Sequence, residues 1–289
     1  MLLQDKLLTL KVIFYSLIFT VETLFAQTST IGHFKANEDS IKSLFQTISL
    51  TRSDPEKLTL NQKIDSLFAR IVRQPASFEY SFDSIRTVGH IYSPDRAFRI
   101  LNWNIPLEDG TYKYFGYIQT LNSKTNIYRS FRLNDLKEEI TVPENKELDA
   151  NKWYGALYYS ILKQNSDRNT YYTLLALQYC NLNLSKKIIE VLTFNETGKP
   201  VFGAPIFQMD NQFKYRIIFQ YAAQASMNLR YDKKLKMIVF DHLSPFEQRY
   251  TGEYEYYGPD LSFDGFEFKN NLWVFHSNID LRQPAEPNR

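Results

Sequence analysis

Cysteine is almost absent from this chain: Cys180 is the only one in 289 residues. A single thiol cannot close an internal disulfide, so no disulfide framework of the kind seen in small extracellular animal domains is available. Cys180 lies in an apolar stretch (YYTLLALQYC) and reads as a small buried hydrophobe rather than a nucleophile. Neither sign of charge dominates, with 34 Lys and Arg set against 32 Asp and Glu. The two signs are mixed along the chain, which points away from nucleic acid and from anionic membrane as partners. Histidine is sparse. His33, His90, His242 and His276 show no metal-ligand spacing, so a zinc site would need long-range convergence.

Motifs for phosphate, dinucleotide, zinc-protease and serine-hydrolase chemistry are absent: no G-x-x-x-x-G-K, G-x-G-x-x-G, H-E-x-x-H or G-x-S-x-G occurs. No cofactor is therefore expected. Long apolar runs are missing too. The longest near the start, Val12 to Val21, is about half of the ~20 residues a membrane span needs. Lys6 and Lys11 precede it, Glu22 interrupts it, and Ala26 leads into a polar stretch. A charged start, a short apolar run and a small residue describe a secretory signal peptide covering residues 1–26. The expectation is an exported protein of the periplasm or cell envelope, with no integral span in the mature chain.

What the chain has in quantity is aromatic side chains, 22 Phe and 20 Tyr. Both favour strands, so composition leans towards β structure. Two helices are expected first, within residues 27–76. Ile41, Leu44, Phe45 and Ile48 form one helical stripe, with Asp39 or Ser40 as cap. Leu60, Ile64, Leu67, Phe68 and Ile71 form another, with Thr59 and Gln62 as a capping box and Pro75 as the stop. The polar turn 51–57, containing Asp54-Pro55, makes the pair a helical hairpin.

From residue 77 to 289 short aromatic runs alternate with turn clusters, the pattern of antiparallel strands. Strands are expected at 78–82, 97–105, 112–121, 127–133, 153–162, 171–180, 187–194, 200–208, 215–222, 227–231, 235–241, 250–257 and 263–279. The polar stretch 134–151 is a candidate subdomain break. Trp153, Tyr154, Leu157, Tyr158, Ile161 and Leu162 also fit a helical stripe, but a hairpin with 171–180 favours strand. The predicted fold is mainly β, an antiparallel sandwich or meander behind the helical hairpin. A β-propeller is the alternative, suggested by Ser93-Pro94-Asp95 before a strand and opposed by the lack of a repeat.

Four constellations could carry chemistry. Asp260, Ser262 and Asp264 before Gly265 resemble the start of a calcium loop, although position twelve is Asn271; the plainer reading is two turns around a strand. Asp241-His242 places an acid beside a base, but neighbours on a strand point to opposite faces unless a bulge intervenes. Glu253 and Glu255, if extended, share a face at about 7 Å, a separation compatible with a glycosidase pair. Tyr254, Tyr256 and Tyr257 head an aromatic-rich segment that can stack on sugar rings or pack a sheet.

The segments Lys187 to Phe207, Ala223 to Tyr231 and Lys236 to Leu243, with Ser93-Pro94-Asp95 and Asp109-Gly110-Thr111, resemble an uncharacterised family of exported proteins from Bacteroidota. The resemblance implies an envelope location and carries no functional residue. Two functions follow as expectations: a non-catalytic module binding a glycan, peptide or partner protein, or a hydrolase acting on envelope polysaccharide or peptide.

Overall fold

The computed structural model describes residues 32–122, 127–166, 169–209 and 211–281. The expected signal peptide, residues 1–26, lies outside them. The first helix, α1, spans residues 32–50, and the second, α2, spans Asp54–Ile71. Both begin earlier than the apolar stripes suggest, because polar side chains occupy the buried positions of their first turns. On α1 the stripe runs Phe34, Glu38, Ile41, Phe45, Ile48. Glu38 accepts hydrogen bonds from the Tyr80 hydroxyl (2.5 Å) and from the Ser84 amide and hydroxyl (2.7 and 2.6 Å). Burial opposes its ionisation, but these bonds outweigh that and hold the carboxyl below its ordinary range.

On α2 the stripe opens with Lys57 and Asn61. Lys57 donates to the Pro106 carbonyl, and Asn61 accepts from the Trp103 indole at 2.8 Å. The cap is Ser53, which accepts from the Glu56 amide, with Pro55 in the first turn. Asp39, Ser40 and Thr59 are therefore interior to helices. Thr59 bonds back to the Pro55 carbonyl instead of capping.

Sixteen strands follow among the described residues, and they do not close into a barrel or propeller. The fold is mainly β and antiparallel behind a two-helix unit, as the sequence predicts. A four-stranded sheet runs β1 (Gly89–Tyr92), β2 (Phe98–Pro106), β3 (Tyr112–Asn122), β4 (Ile127–Asn134) in spatial order. The second sheet runs β5 (Leu148–Asp149), β9 (Pro200–Phe202), β8 (Leu184–Phe194), β7 (Thr170–Tyr179), β6 (Leu157–Asn165), and β12 (Ile217–Ala222) also pairs with β8. The third runs β11 (Gln212–Lys214), β10 (Phe207–Met209), β16 (Leu272–His276), β15 (Tyr257–Lys269), β14 (Met237–Pro245), β13 (Leu229–Asp232).

Helices and sheets stack in four layers with three cores between them. Leu101 and Trp103 of β2 pack on the helices, while Phe98 and Ile100 face the second sheet. Leu174 and Ala176 face the first sheet, and Leu175, with Ile189 and Val191 of β8, faces the third. Strands buried on both faces need apolar residues at consecutive positions. That is why the middle of the chain carries apolar runs such as LLAL on β7, and IIEVL on β8, interrupted only by the ion-paired Glu190.

Several expected strands are not strands. Residues 78–82 form a 3-10 turn and loop, with Phe82 at φ 53°. Side chains take up the carbonyls of this stretch: Arg99, fully buried on β2, donates to the oxygens of Ser77 and Tyr80, both at 2.6 Å, and to Gln119, while the Tyr92 hydroxyl bonds the Phe78 carbonyl and the His90 ring the Ser81 carbonyl. The expected strand 200–208 breaks at Gly203 (φ 95°), where the chain passes from the second sheet to the third. A Cβ there would meet the Lys146 carbonyl at 2.8 Å, so only glycine fits the crossing. Trp153 precedes its strand rather than joining it; its ring is fully buried and its indole donates to the Tyr158 hydroxyl. Residues 250–257 are two 3-10 turns, Gln248–Tyr250 and Tyr254–Tyr256, leading into β15.

The polar stretch 134–151 is tied to the second sheet by a buried ion pair. Arg216 Nε meets both Glu190 carboxylate oxygens at 3.0 Å, and its outer nitrogens donate to the Pro143, Lys146 and Phe202 carbonyls. No helix among the described residues is long and apolar enough to cross a membrane.

Candidate functional site

The residues singled out in the sequence gather at one end of the third sheet, where β14 and β15 leave the core. Asp241 pairs with Phe263 and Leu243 with Pro259, so His242 alone faces three residues, Asp260 to Ser262. This is a bulge on β15. Its middle residue, Leu261, sits at φ 74° and is 90% exposed. The bulge turns Asp260 towards the side of the sheet that carries His242 and Asp264. His242 Nδ1 lies 2.7 Å from Asp264 Oδ2, and its Nε2 lies 3.9 Å from Asp260 Oδ2. Asp264 is nearly buried and also accepts from the Asn278 amide. A carboxylate on Nδ1 fixes the proton there and orients Nε2 outward, towards Asp260 and solvent. The Ser262 hydroxyl and amide bond Asp260 Oδ1 and hold its carboxyl below the usual range.

This arrangement keeps Asp241 and His242 on opposite faces, as strand alternation predicts, and corrects the pairing of Glu253 with Glu255. Asp241 does not partner His242: it lies on the opposite face, where its backbone amide and its carboxylate both bond Asn228. The acid that meets the imidazole is Asp264, twenty-two residues further on. Glu253 and Glu255 do not share a strand face, because the chain there is a 3-10 turn; both side chains are exposed. The calcium-loop pattern is divided likewise. Asp260 is bonded by Ser262 and Asp264 by His242 and Asn278, so their oxygens do not converge on one point. Among the described residues no group of three or more His, Cys, Asp or Glu side chains is placed to hold a metal.

The tyrosines gather at the connection between β14 and β15. Tyr254 is 44% exposed with its ring 5.1 Å from that of Tyr257, whose hydroxyl accepts from the Gly252 amide. Tyr250 and Tyr256 stack at 4.2 Å, with the Arg249 guanidinium over Tyr250. Phe246, 55% exposed, lies over Gly258, where a Cβ would strike its ring at 2.6 Å. Exposed aromatic side chains thus lie on the connection between the two strands that carry His242 and the two carboxylates.

A second concave region escaped sequence reasoning. A cleft of about 890 Å³ opens between the β1–β2 turn and the β8–β9 turn, lined by Asp95, Arg96, Arg129, Tyr172, Phe194 and Thr197 among others. Its charges are mostly occupied. Asp95 accepts from Ser93, Tyr172 and Lys163; burial alone would raise its pKa, but these bonds hold it at about 2. Arg96 pairs with Glu79 and covers the Tyr92 ring at 3.7 Å. Arg129 donates to the Thr197 carbonyl. Only the turn Ser93 to Arg96 has a local signature; Lys163 and Tyr172 arrive by tertiary pairing.

Two other groups are structural. His90 accepts from Arg99 at Nε2 and bonds the Ser81 carbonyl through Nδ1; burial and the adjacent guanidinium lower its pKa to about 4. Cys180 is half-buried at the end of β7, and burial pushes its thiol up, away from nucleophilic behaviour. Compared with known proteins, the chain matches no family model, no curated protein and no solved structure.

Proposed function

We propose that this chain is an exported, non-catalytic binding module of the cell envelope, taking a glycan at the outer end of the third sheet. Export is supported by the charged start, the short apolar run Val12 to Val21 and the resemblance to exported Bacteroidota proteins. The observation that carries the binding reading is the exposed Phe246 and Tyr254, with the stacked Tyr250–Tyr256 pair, on the connection between the two strands that carry His242 and Asp260. Aromatic faces cover the apolar face of a sugar ring, while carboxylate and imidazole hydrogen-bond its hydroxyls.

The same residues argue against a hydrolase. A glycosidase acid must hold its proton near neutral pH, whereas Ser262 keeps Asp260 ionised. The Ser262 hydroxyl is turned to Asp260 and not to His242, so the His242–Asp264 pair does not have Ser262 as a nucleophile to activate. The test is an array of neutral, N-acetylated and uronic-acid oligosaccharides probed with the wild type and Tyr254→Ala, alongside a reducing-end release assay. The expected result is binding that weakens about tenfold in the variant, corresponding to ~1.4 kcal/mol for one stacked ring, with no release. Release of reducing ends would establish the hydrolase instead.

A further inference from the structure

The free edge of the four-stranded sheet has no role in the reading above. Leu121 donates its amide to the Ala97 carbonyl on the β2 side, so Thr120 and Ile118 face β4 and bond Arg129 and Phe131. By alternation, Tyr128, Ser130 and Arg132 turn their backbone amides and carbonyls outward. Asn134 confirms the parity, because its outward carbonyl accepts from the Trp153 amide. Among the described residues nothing bonds the outward backbone groups of Tyr128, Ser130 and Arg132.

The other edges are shorter or blunted. β13, β11 and β5 have four, three and two residues. β12 lies against the Tyr254–Tyr256 turn, and β6 is bulged between Tyr158 and Ser160 and lies against β1. β4 is eight residues long and has no bulge; the Ala150–Lys152 turn packs against it, with Trp153 bonded to Asn134 at its end, and Tyr128 to Arg132 keep unbonded outward groups. Such an edge is a template for a further strand.

We infer that β4 takes an extended acidic peptide segment of a partner protein by strand addition along Tyr128 to Arg132. Charge selects the occupant. Ile127, Arg129 and Phe131 share the face towards the second sheet, and among the described residues Arg129 has no acid partner, its guanidinium bonding the Thr197 carbonyl. An incoming acid between two apolar residues at alternate positions would meet Arg129 while its neighbours cover Phe131 and the half-exposed Ile127. A second copy of this chain is disfavoured. Pairing about Ser130 would set the two Arg129 side chains on the diagonal, about 7–8 Å apart, with like charge.

The test uses the full chain and two labelled peptides, Thr-Val-Thr-Glu-Thr-Val-Thr, which sets Glu between two Val on one strand face, and its counterpart with Lys for Glu, read by fluorescence polarisation and amide hydrogen exchange. The acidic peptide is expected to bind at least about tenfold more tightly and to protect the Ser130 and Arg132 amides. Ser130→Pro removes an outward donor that β3 does not use and should abolish binding. Arg129→Glu, which leaves the edge backbone intact, should invert the peptide preference. Equal affinity for both peptides, no binding of either at millimolar concentration, or protection of these amides by self-association alone would overturn the inference. The oligosaccharide readout at Tyr254 is independent of all three outcomes.

Discussion

In the inner layers, tyrosine and charge are consumed by the fold. Tyr114 and Tyr158 are buried with bonded hydroxyls, and Arg216 and Glu190 are fully buried against each other. At the outer end of the third sheet the same residue types are left partly in solvent: Tyr254 is exposed, Tyr250 stacks on Tyr256, and half of the His242 ring is accessible. The difference comes from position in the stack. The second sheet has a partner on both faces, so any polar group there must be satisfied internally. The end of β14 and β15 runs past the third core, and the bulge at Asp260 to Ser262 bends it out of register. One region holds charge inside the packing, and the other leaves it partly in solvent, where the proposed glycan would meet it.

The largest effect that would break this contrast is at Glu190. Replacing it with Leu leaves Arg216 buried without its acid and is expected to cost about 3–5 kcal/mol in urea unfolding. Adding Arg216→Met should recover much of that loss, although the Pro143, Lys146 and Phe202 carbonyls then lose their donor. If Glu190→Leu unfolds like the wild type, the pair does not define the packing. Next is Arg99→Met, which strips donors from the buried carbonyls of Ser77 and Tyr80 and is expected to cost about 2–4 kcal/mol.

The third prediction is a pH window. His90 is held neutral in the fold, with its pKa at about 4 against 6.5 for the free side chain. The unfolded chain therefore binds the proton first, so the His90 contribution is intact above pH 6.5 and is lost as pH falls towards 4. His90→Gln should flatten the stability profile across that window. The Asp95 contribution is lost only lower, between its ordinary 3.8 and about 2, and should survive the substitution.

The smallest effect should appear at the outer end. Leu261 is exposed in a left-handed conformation, and Leu261→Gly is expected to change stability by no more than about 0.5 kcal/mol. A loss above ~1.5 kcal/mol would show that this end is packed core after all.

How legible these regions were follows from the range of their contacts. The strands of the middle layers announce themselves through apolar runs, and the β8–β9 hairpin through Asn195 to Lys199, where Asn195 Oδ1 bonds the Thr197 and Lys199 amides. Helix starts were obscured because Glu38, Lys57 and Asn61 occupy buried positions and are satisfied by residues about fifty positions away or less. Residues 78–82 alternate like a strand, but Arg99 takes the place of a neighbouring strand, and a buried arginine has no local pattern. At the candidate site His242, Asp260 and Asp264 could each be picked out, while their association depended on the pairing of β14 with β15 and a two-residue register shift between them. Asp241, adjacent in sequence, falls on the opposite face, as strand alternation predicts.

The central claim, that the outer end and not the inner cleft is the ligand site, is tested most directly by oligosaccharide affinity in two variants. Tyr254→Ala should weaken binding about tenfold, while Arg129→Ala, in the cleft between the first two sheets, should leave it unchanged. Loss of affinity on Arg129→Ala with Tyr254→Ala silent would place the ligand in the cleft and contradict the account.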